Sequence, residues 1–430
     1  MEGNSQVIFA VVVFLCTYFL IILDKIHRAV VALLGASVIL LFHVIEQERA
    51  VEAVDFNTLG LLIGMMVIIG ITRRTGLFEY LAILSAKLSK GEPIRIMISL
   101  ATVTAVVSAF LDNVTTVLLI VPVTFAIAGK LKLNPIPFLL AEVIASNIGG
   151  TATLIGDPPN IMIGSATGLG FMDFVKALTP VVIVVHIANM IWLKFLYRKQ
   201  MKTTPELQKS ILGMDEKAEI KDLALLKKCV FVICLTILGF ITHQALHLEG
   251  ATIALAGATI LLLITLDDPE PALASVEWTA IFFFVGLFIV VGALEEVGVI
   301  EYVARQSLAL TGGEMVPTGL LILWLSAIAS AFVDNIPFVA TMIPLIRDMG
   351  QIGGITDLNP LWWCLSLGAC LGGNGTLIGA SANVVVASLA EKRGVIITFI
   401  HFTKVAFPMM LMSVAICTVY LLIRFLIPAS

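Results

Sequence analysis

Residues 108–113 read SAFLDN, and residues 330–335, at an offset of 222, read SAFVDN. The same offset relates AVVALLGASVILLF at 29–42 to ATIALAGATILLLI at 251–264, TGLFEYLA at 75–82 to VGVIEYVA at 297–304, and Pro122 to Pro344. After a one-residue slip, GGTATLIGDPPN at 149–160 answers GGNGTLIGASAN at 372–383. Chance likeness between apolar helices does not keep Gly, Asn, Asp and Pro in register over such a distance. Each half of the chain is therefore expected to fold as a copy of one unit.

Composition decides the solvent. Of 430 residues, 59% are hydrophobic and 13% charged, with a mean hydropathy of +1.05. A soluble domain carries roughly 25% charged residues. The balance excludes a soluble globular protein, a disordered chain and a nucleic-acid binder. A crossing helix takes about 20 apolar residues, and the sequence offers ten such runs plus two that do not cross. The opening MEGNSQ lacks a positive n-region and reads as the start of a first span, not as a cleaved leader. Residues 1–200 form the first transmembrane repeat, 201–227 a cytoplasmic linker, and 228–430 the second, inverted repeat.

Charge sets the orientation. Lys25 and Arg28 lie between spans one and two, and Arg73, Arg74, Lys87, Lys90 and Arg95 follow span three on the same side. Lys130 and Lys132 return there after the runs 94–111 and 114–129, so that pair enters and leaves by one face. Its turn is Asp112-Asn113 with no flanking loop, which predicts a re-entrant hairpin. Arg73-Arg74 align with Glu295-Glu296, so the equivalent loop of the second half has lost its positive charge, as an inverted repeat requires. Of the 26 Lys and Arg, all but Arg49, Lys176, Arg305, Arg347 and Arg424 fall on the cytoplasmic side. The predicted fold class is an all-α polytopic membrane protein of two inverted-topology repeats, each with spanning helices, a re-entrant hairpin and a broken helix, the plan of secondary transporters.

The polar groups at mid-membrane fall in two sets per half. The hairpin turns carry Asp112, Asn113 and Thr115, then Asp334 and Asn335; the breaks carry Asn147, Gly149 and Thr151, then Asn374 and Thr376. Broken backbone is tolerated in a bilayer only inside protein or beside a watery cavity, and half-helix N-termini favour anions and oxygen-rich solutes. No Arg or Lys falls in these four stretches, which suits a neutral or weakly charged solute. Asp112 and Asp334 are embedded acids and candidates for proton or ion coupling, with helix capping as the plain alternative. Asp157 aligns with Ala380 and Glu142 with Leu365, so these acids belong to one half only and are candidate proton carriers. For Asp157, before Pro158-Pro159, capping is again an alternative; for Glu142 it is a polar contact near its helix end.

His27, His43 and His186 read as packing residues, and His243 and His247 as an interfacial pair without a third ligand. The six cysteines form no CxxC, and Cys364 and Cys370 read as apolar packing. There is no GxxxxGK[ST], HExxH or GxSxG, hence no expectation of an enzyme, a cofactor or a metal centre.

LDNVTTVLL at 111–119, NIGGTATLIGDPPNIMI at 147–163, VDNIPFVATMIP at 333–344 and GGNGTLIGASAN at 372–383 resemble the ion transporter superfamily, in the branch of ArsB arsenite permeases, NhaD-type sodium/proton antiporters and the P protein. The Ser-Asn-Thr motifs of the dicarboxylate branch are replaced by Asp-Asn-Val and Asp-Asn-Ile. The resemblance covers nearly the whole chain. It implies a dimer, elevator-like movement of hairpins and broken helices against a scaffold at 7–72 and 229–294, and site residues Asp112, Asn113, Thr115, Asn147, Gly149, Thr151, Asp157, Asn160, Asp334, Asn335, Asn374, Thr376, Ser381 and Asn383. It also implies a function: proton-coupled export of arsenite and antimonite across the plasma membrane, with a separate ATPase as a partner in some members. The alternatives are a sodium/proton antiporter and a sodium-coupled organic anion transporter.

Overall fold

Asp, Gly and Pro cut the apolar runs into helices, and they cut both halves at the same places. The computed structural model describes residues 2–23, 25–266 and 268–428. The first half contains α1 (Glu2–Leu23), α2 (Arg28–Leu41), α3 (Gln47–Glu52), α4 (Phe56–Arg73), α5 (Leu77–Leu88), α6 (Pro93–Ser108), α7 (Asn113–Leu131), α8 (Ile136–Gly150), α9 (Pro158–Thr167) and α10 (Phe171–Tyr197). The linker adds α11 (Pro205–Leu212) and a single 3-10 turn at Lys217–Glu219. The second half repeats the series as α12 (Leu223–Leu246), α13 (Gly250–Thr265), α14 (Pro269–Leu273), α15 (Trp278–Glu296), α16 (Val299–Thr311), α17 (Met315–Phe332), α18 (Asn335–Gly353), α19 (Asn359–Gly372), α20 (Ser381–Glu391) and α21 (Phe399–Leu421). Among the described residues there is no strand.

Eight of the described helices are long and apolar enough to cross a bilayer, α1, α4, α7, α10, α12, α15, α17 and α21. The runs near 28–45 and 250–266 become helices of 14 and 16 residues, α2 and α13. At 1.5 Å per residue these fall short of a hydrocarbon core of about 30 Å. They do not stand alone: α2 packs on α15, and its equivalent α13 packs on α4. That exchange of partners between halves is what a pseudo-two-fold produces. Small residues permit the approach. A Cβ on Gly64 would lie 2.5 Å from the Ala254 backbone, and one on Gly286 2.6 Å from that of Ala32. In lipid, where apolar burial gives helices no preference for each other, such close contact is the main source of association.

Helices α6 and α7 form hairpin one, and α17 and α18 form hairpin two. The Asp112 carboxylate accepts from the Thr115 N–H at 2.8 Å, and that of Asp334 from the Ile336 N–H at 3.2 Å, so both acids cap the returning arm. Hairpin one packs on the broken helix α8–α9, and hairpin two on α19–α20. Gly149 lies against the Ala105 carbonyl and Gly372 against that of Ala327, with room for no Cβ.

The linker folds back on α5 and on the end of hairpin one. Ile211 is buried, the Thr203 hydroxyl donates to the Leu131 carbonyl at 3.0 Å, and the Lys221 N–H to the Thr75 carbonyl at 3.0 Å. Lys87 donates to the Met214 carbonyl at 3.0 Å and pairs with Glu216. Gly76 has φ +78°, and a Cβ there would sit 1.8 Å from the Glu219 carbonyl oxygen. Its equivalent, Gly298, has φ +77° and open space: among the described residues nothing comes within 4 Å of a Cβ added there.

Gly64→Ala and Gly286→Ala should each destabilise the purified protein by about 1–3 kcal/mol, read as a lower unfolding midpoint in detergent. Gly129→Ala, where an added Cβ meets nothing within 4 Å, should not lower it. An equal loss at all three positions would contradict the close-approach account. The Lys87 hydrogen bond holds the Glu216 carboxyl below its ordinary range. Because the folded value is the lower one, this contribution is present above the unfolded pKa and is lost as pH falls through the folded value, in the region under about pH 4. Lys87→Met should release the linker at neutral pH in the same way, seen as several-fold faster tryptic cleavage at Lys217 and Lys221. Unchanged cleavage would show that the ion pair does not hold the strap.

Candidate functional site

A helix broken inside a membrane exposes carbonyl oxygens that water cannot reach. In each half one asparagine, a turn beyond the break, answers them. The Asn160 amide donates to the Thr151 and Thr153 carbonyls at 3.2 and 2.8 Å. The Asn383 amide donates to those of Gly373 and Thr376 at 2.8 and 2.9 Å. The Thr153 hydroxyl bonds the Ala109 carbonyl, and the Thr376 hydroxyl bonds that of Ala331, tying each break to its hairpin turn.

The acceptor ends of the two amides face the opposite half. The Asn383 Oδ1 accepts from Asn147 Nδ2 at 3.0 Å, and the same nitrogen donates to Asn374 Oδ1 at 2.9 Å. Asn147 Oδ1 accepts from Asn113 Nδ2 at 3.0 Å. Asn160 Oδ1 accepts from the Ser366 hydroxyl at 2.6 Å and from the Cys370 thiol at 3.7 Å. Asn335 Nδ2 reaches the Asp157 carboxyl at 3.3 and 3.5 Å. None of these asparagines is more than 5% exposed, and Asp157 is fully buried. The result is a buried, mostly uncharged amide and hydroxyl cluster that joins α7, α8 and α9 to α18, α19 and α20.

The structure therefore brings together Asn113, Asn147, Thr151, Asp157, Asn160, Asn335, Asn374 and Asn383. Thr151 takes part through its carbonyl, while its hydroxyl bonds back to the Asn147 carbonyl at 2.7 Å. Gly149 lies outside: it faces α6 and serves helix packing. Thr115 contributes its N–H to the Asp112 cap and Thr376 its hydroxyl to the hairpin turn. Asp157 occupies the N-cap position of α9 but makes no capping bond, so the capping alternative does not hold for it. Glu142 is apart from the cluster, mid-way along α8 rather than near its end. One carboxyl oxygen bonds the Thr124 hydroxyl, and the other is buried without a partner.

Two corrections concern residues outside the sequence motifs. Cys370, read as apolar packing, touches Asn160 from α19, as does Ser366 one turn earlier. The site also has a cation after all, from elsewhere in the chain. Arg28, at the start of α2, donates to Asp334 Oδ2 at 2.7 Å and also bonds the Ser381 hydroxyl, which itself donates to Asp334 Oδ2 at 2.8 Å. Arg28 stacks over Phe283 at 5.1 Å and lines a cleft of about 190 Å³ with His27, Asp334, Ser381, Val384 and Val385. The only signal in the sequence was a mismatch in the repeat, Arg28 against Gly250.

Comparison with known proteins places this geometry. Residues 18–368 match the family model described as citrate transporter. An uncharacterized transporter of Mycobacterium tuberculosis is 44% identical over 423 residues, covering 97% of this chain and 98% of that protein. The P protein of Homo sapiens is 36% identical, over 98% of this chain and 60% of its own length. Among solved structures, the YdaH transporter of Alcanivorax borkumensis, reported to have an unusual topology, aligns with a TM-score of 0.58 over 89% of this chain and 88% of its own at 14% identity, which speaks for the fold alone. The chain is a multi-pass transporter of the plasma membrane.

Asn147 makes three side-chain bonds across the cluster and Asn113 makes one with its side chain. Asn147→Leu should therefore destabilise more than Asn113→Leu, with about 1–3 kcal/mol for each buried group left unpaired. Equal losses in thermal unfolding would remove Asn147 as the hub.

Proposed function

Because the chain belongs to the citrate transporter family, within the ion transporter superfamily, we propose that it is a proton-coupled secondary transporter. Its solutes are arsenite and antimonite, exported by elevator-type alternating access. The observation that carries this reading is the buried amide cluster around Asn147, which joins both halves and holds one acid, Asp157, and no basic group. Arsenous acid is neutral near physiological pH and has three hydroxyls. It can replace amide–amide hydrogen bonds with amide–solute bonds at little net cost, and binding of that kind is weak enough to release. Asn113, Thr115, Asn147, Thr151, Asn160, Asn335, Asn374, Thr376, Ser381 and Asn383 make up the solute site in this reading. Asp157 is the first choice for the coupling acid, since its contact is the neutral Asn335 amide. Asp112, Asp334 and Glu142 are the other embedded acids on the path.

A second reading has one observation in its favour. Arg28 stands beside Asp334 and Ser381, and a guanidinium there suits an organic anion such as the one named by the family model. The two separate in vesicles: arsenite movement driven by a proton gradient supports the first, and sodium-stimulated citrate uptake without arsenite movement supports the second.

Asp112→Asn and Asp334→Asn should fold and reach the membrane but lose arsenite transport, since Asn still caps a helix yet carries no exchangeable charge. Wild-type rates in both would remove them from coupling, leaving the cap to Asp112 and the cap with the Arg28 pair to Asp334. A variant with all six cysteines replaced, Cys370 by Ser so that Asn160 keeps a donor, should still confer arsenite resistance on a sensitive strain. A folded, membrane-resident variant that confers none would replace the oxygen site by a thiol site.

A further inference from the structure

The amide cluster binds the two halves to each other, but a different set of contacts binds them to the helices around them. Helices α1–α4 and α12–α15 pair among themselves, α2 with α15 and α4 with α13. From this group Arg28 reaches to hairpin two and to the start of α20, where Asp334 Oδ2 takes hydrogen bonds from both Arg28 and Ser381. The pair is 27% and 11% exposed, enough shielding for the ion pair to weigh more than a surface one. Tyr18 of α1 reinforces it, donating to the Pro337 carbonyl of hairpin two at 2.6 Å.

Among the described residues nothing in the other half reproduces this. The equivalent of Arg28 is Gly250, that of Ser381 is Pro158, and that of Tyr18 is Phe240. Asp112, the equivalent of Asp334, makes its cap to Thr115 alone among the described side-chain bonds to it. In an inverted repeat, the second state of an alternating-access cycle is the first with the halves exchanged. In that second state Asp112 would face Gly250, and the ion pair would have no successor. Exposure shows the same one-sidedness. Val384 of α20 lines the Arg28 cleft at 36% exposed, while its equivalent in α9, Ile161, is 2% exposed.

We propose that Arg28, Asp334 and Ser381 form a latch between the outer helices and hairpin two that exists in one access state only and biases the resting protein toward it. The proposal rests on the alternating-access reading above, but not on the identity of the solute. The latch closes between side chains of this chain, and a substitution that removes the charge of Arg28 opens it. Its strength fixes how the two states are populated before any gradient is applied.

The test uses full-length protein in vesicles with Cys16 and Cys234, the exposed cysteines, changed to Ser. In that background Val384→Cys and Ile161→Cys are made separately, and their labelling by a membrane-impermeant maleimide is timed with reagent on both faces. With Arg28 present, Val384→Cys should label fast and Ile161→Cys slowly. Arg28→Gln should reverse the order, slowing the first and speeding the second by about tenfold each, the change expected when a partly buried charge pair is removed. Ser381→Ala should shift both rates in the same directions by less, and Arg28→Lys should stay near the parent, so the inference does not depend on one variant folding. Asp334→Asn combined with Arg28→Gln should do no more than either alone. Unchanged rates in Arg28→Gln and Ser381→Ala overturn the latch. Both rates rising together means local loosening, and overturns the exchange of states on which the proposal stands.

Discussion

Interrupting a helix within a membrane leaves carbonyl groups that must find donors in the protein. Asn160 and Asn383 supply them, and much else follows from the choice of asparagine. Its amide has two N–H donors and a separate acceptor oxygen. Both donors turn inward to the chain's own loop, so the oxygen is left pointing at the other half. An aspartate there could not donate, and a leucine could do neither. One residue type thus closes the break and makes the junction, which is why the cluster forms where the helices are interrupted rather than along their lengths.

The frame obeys the two-fold, but the chemistry placed on it does not. Gly64 and Gly286, Gly149 and Gly372, and the hydroxyls of Thr153 and Thr376 have equivalent surroundings. Beside the shared pairs Asn113/Asn335 and Asn160/Asn383, other groups that face the middle differ: Asn147 stands against Cys370, Thr151 against Asn374, Asp157 against Ala380. Packing tolerates only one solution for two helices in close contact, so it preserves the repeat. A single solute lying across the junction sees both halves at once and needs no such copy.

The repeat, the hairpins and the breaks were legible because Gly, Asn, Asp and Pro hold register where apolar letters drift. The structure extends the repeat to α1 and α12, whose sequences share no motif, since any apolar run satisfies lipid. Gly149 was legible as part of a break but not as a packing residue, for its neighbour Ala105 is distant in sequence. Ser366 and Cys370 could not be placed because every residue of α19 from Pro360 to Gly372 is buried, and a helix buried all round has no apolar face against which a polar one stands out. Arg28 reads from sequence as an ordinary positive charge at a span end. Its reach to Asp334 is a tertiary fact, hinted at only by the glycine that replaces it in the second half.

The position of the bonds limits how the molecule can move. Asn147 joins α8 to the α19–α20 break, Asn113 joins hairpin one to α8, and Asn335 joins hairpin two to Asp157. Sliding one half past the other would leave several buried amides unpaired at once, each at about 1–3 kcal/mol. Toward the outer helices the polar ties are only partly buried, so water can take their place at less cost: Arg28 to Asp334 and Ser381, Tyr18 to hairpin two, and Ser165 of α9 to Asp55 and Asn57 of α4. The weakest boundary therefore runs between the outer helices and the joined hairpins and broken helices, not between the repeats. Any large motion that keeps the amide cluster intact carries both hairpins together and crosses that boundary.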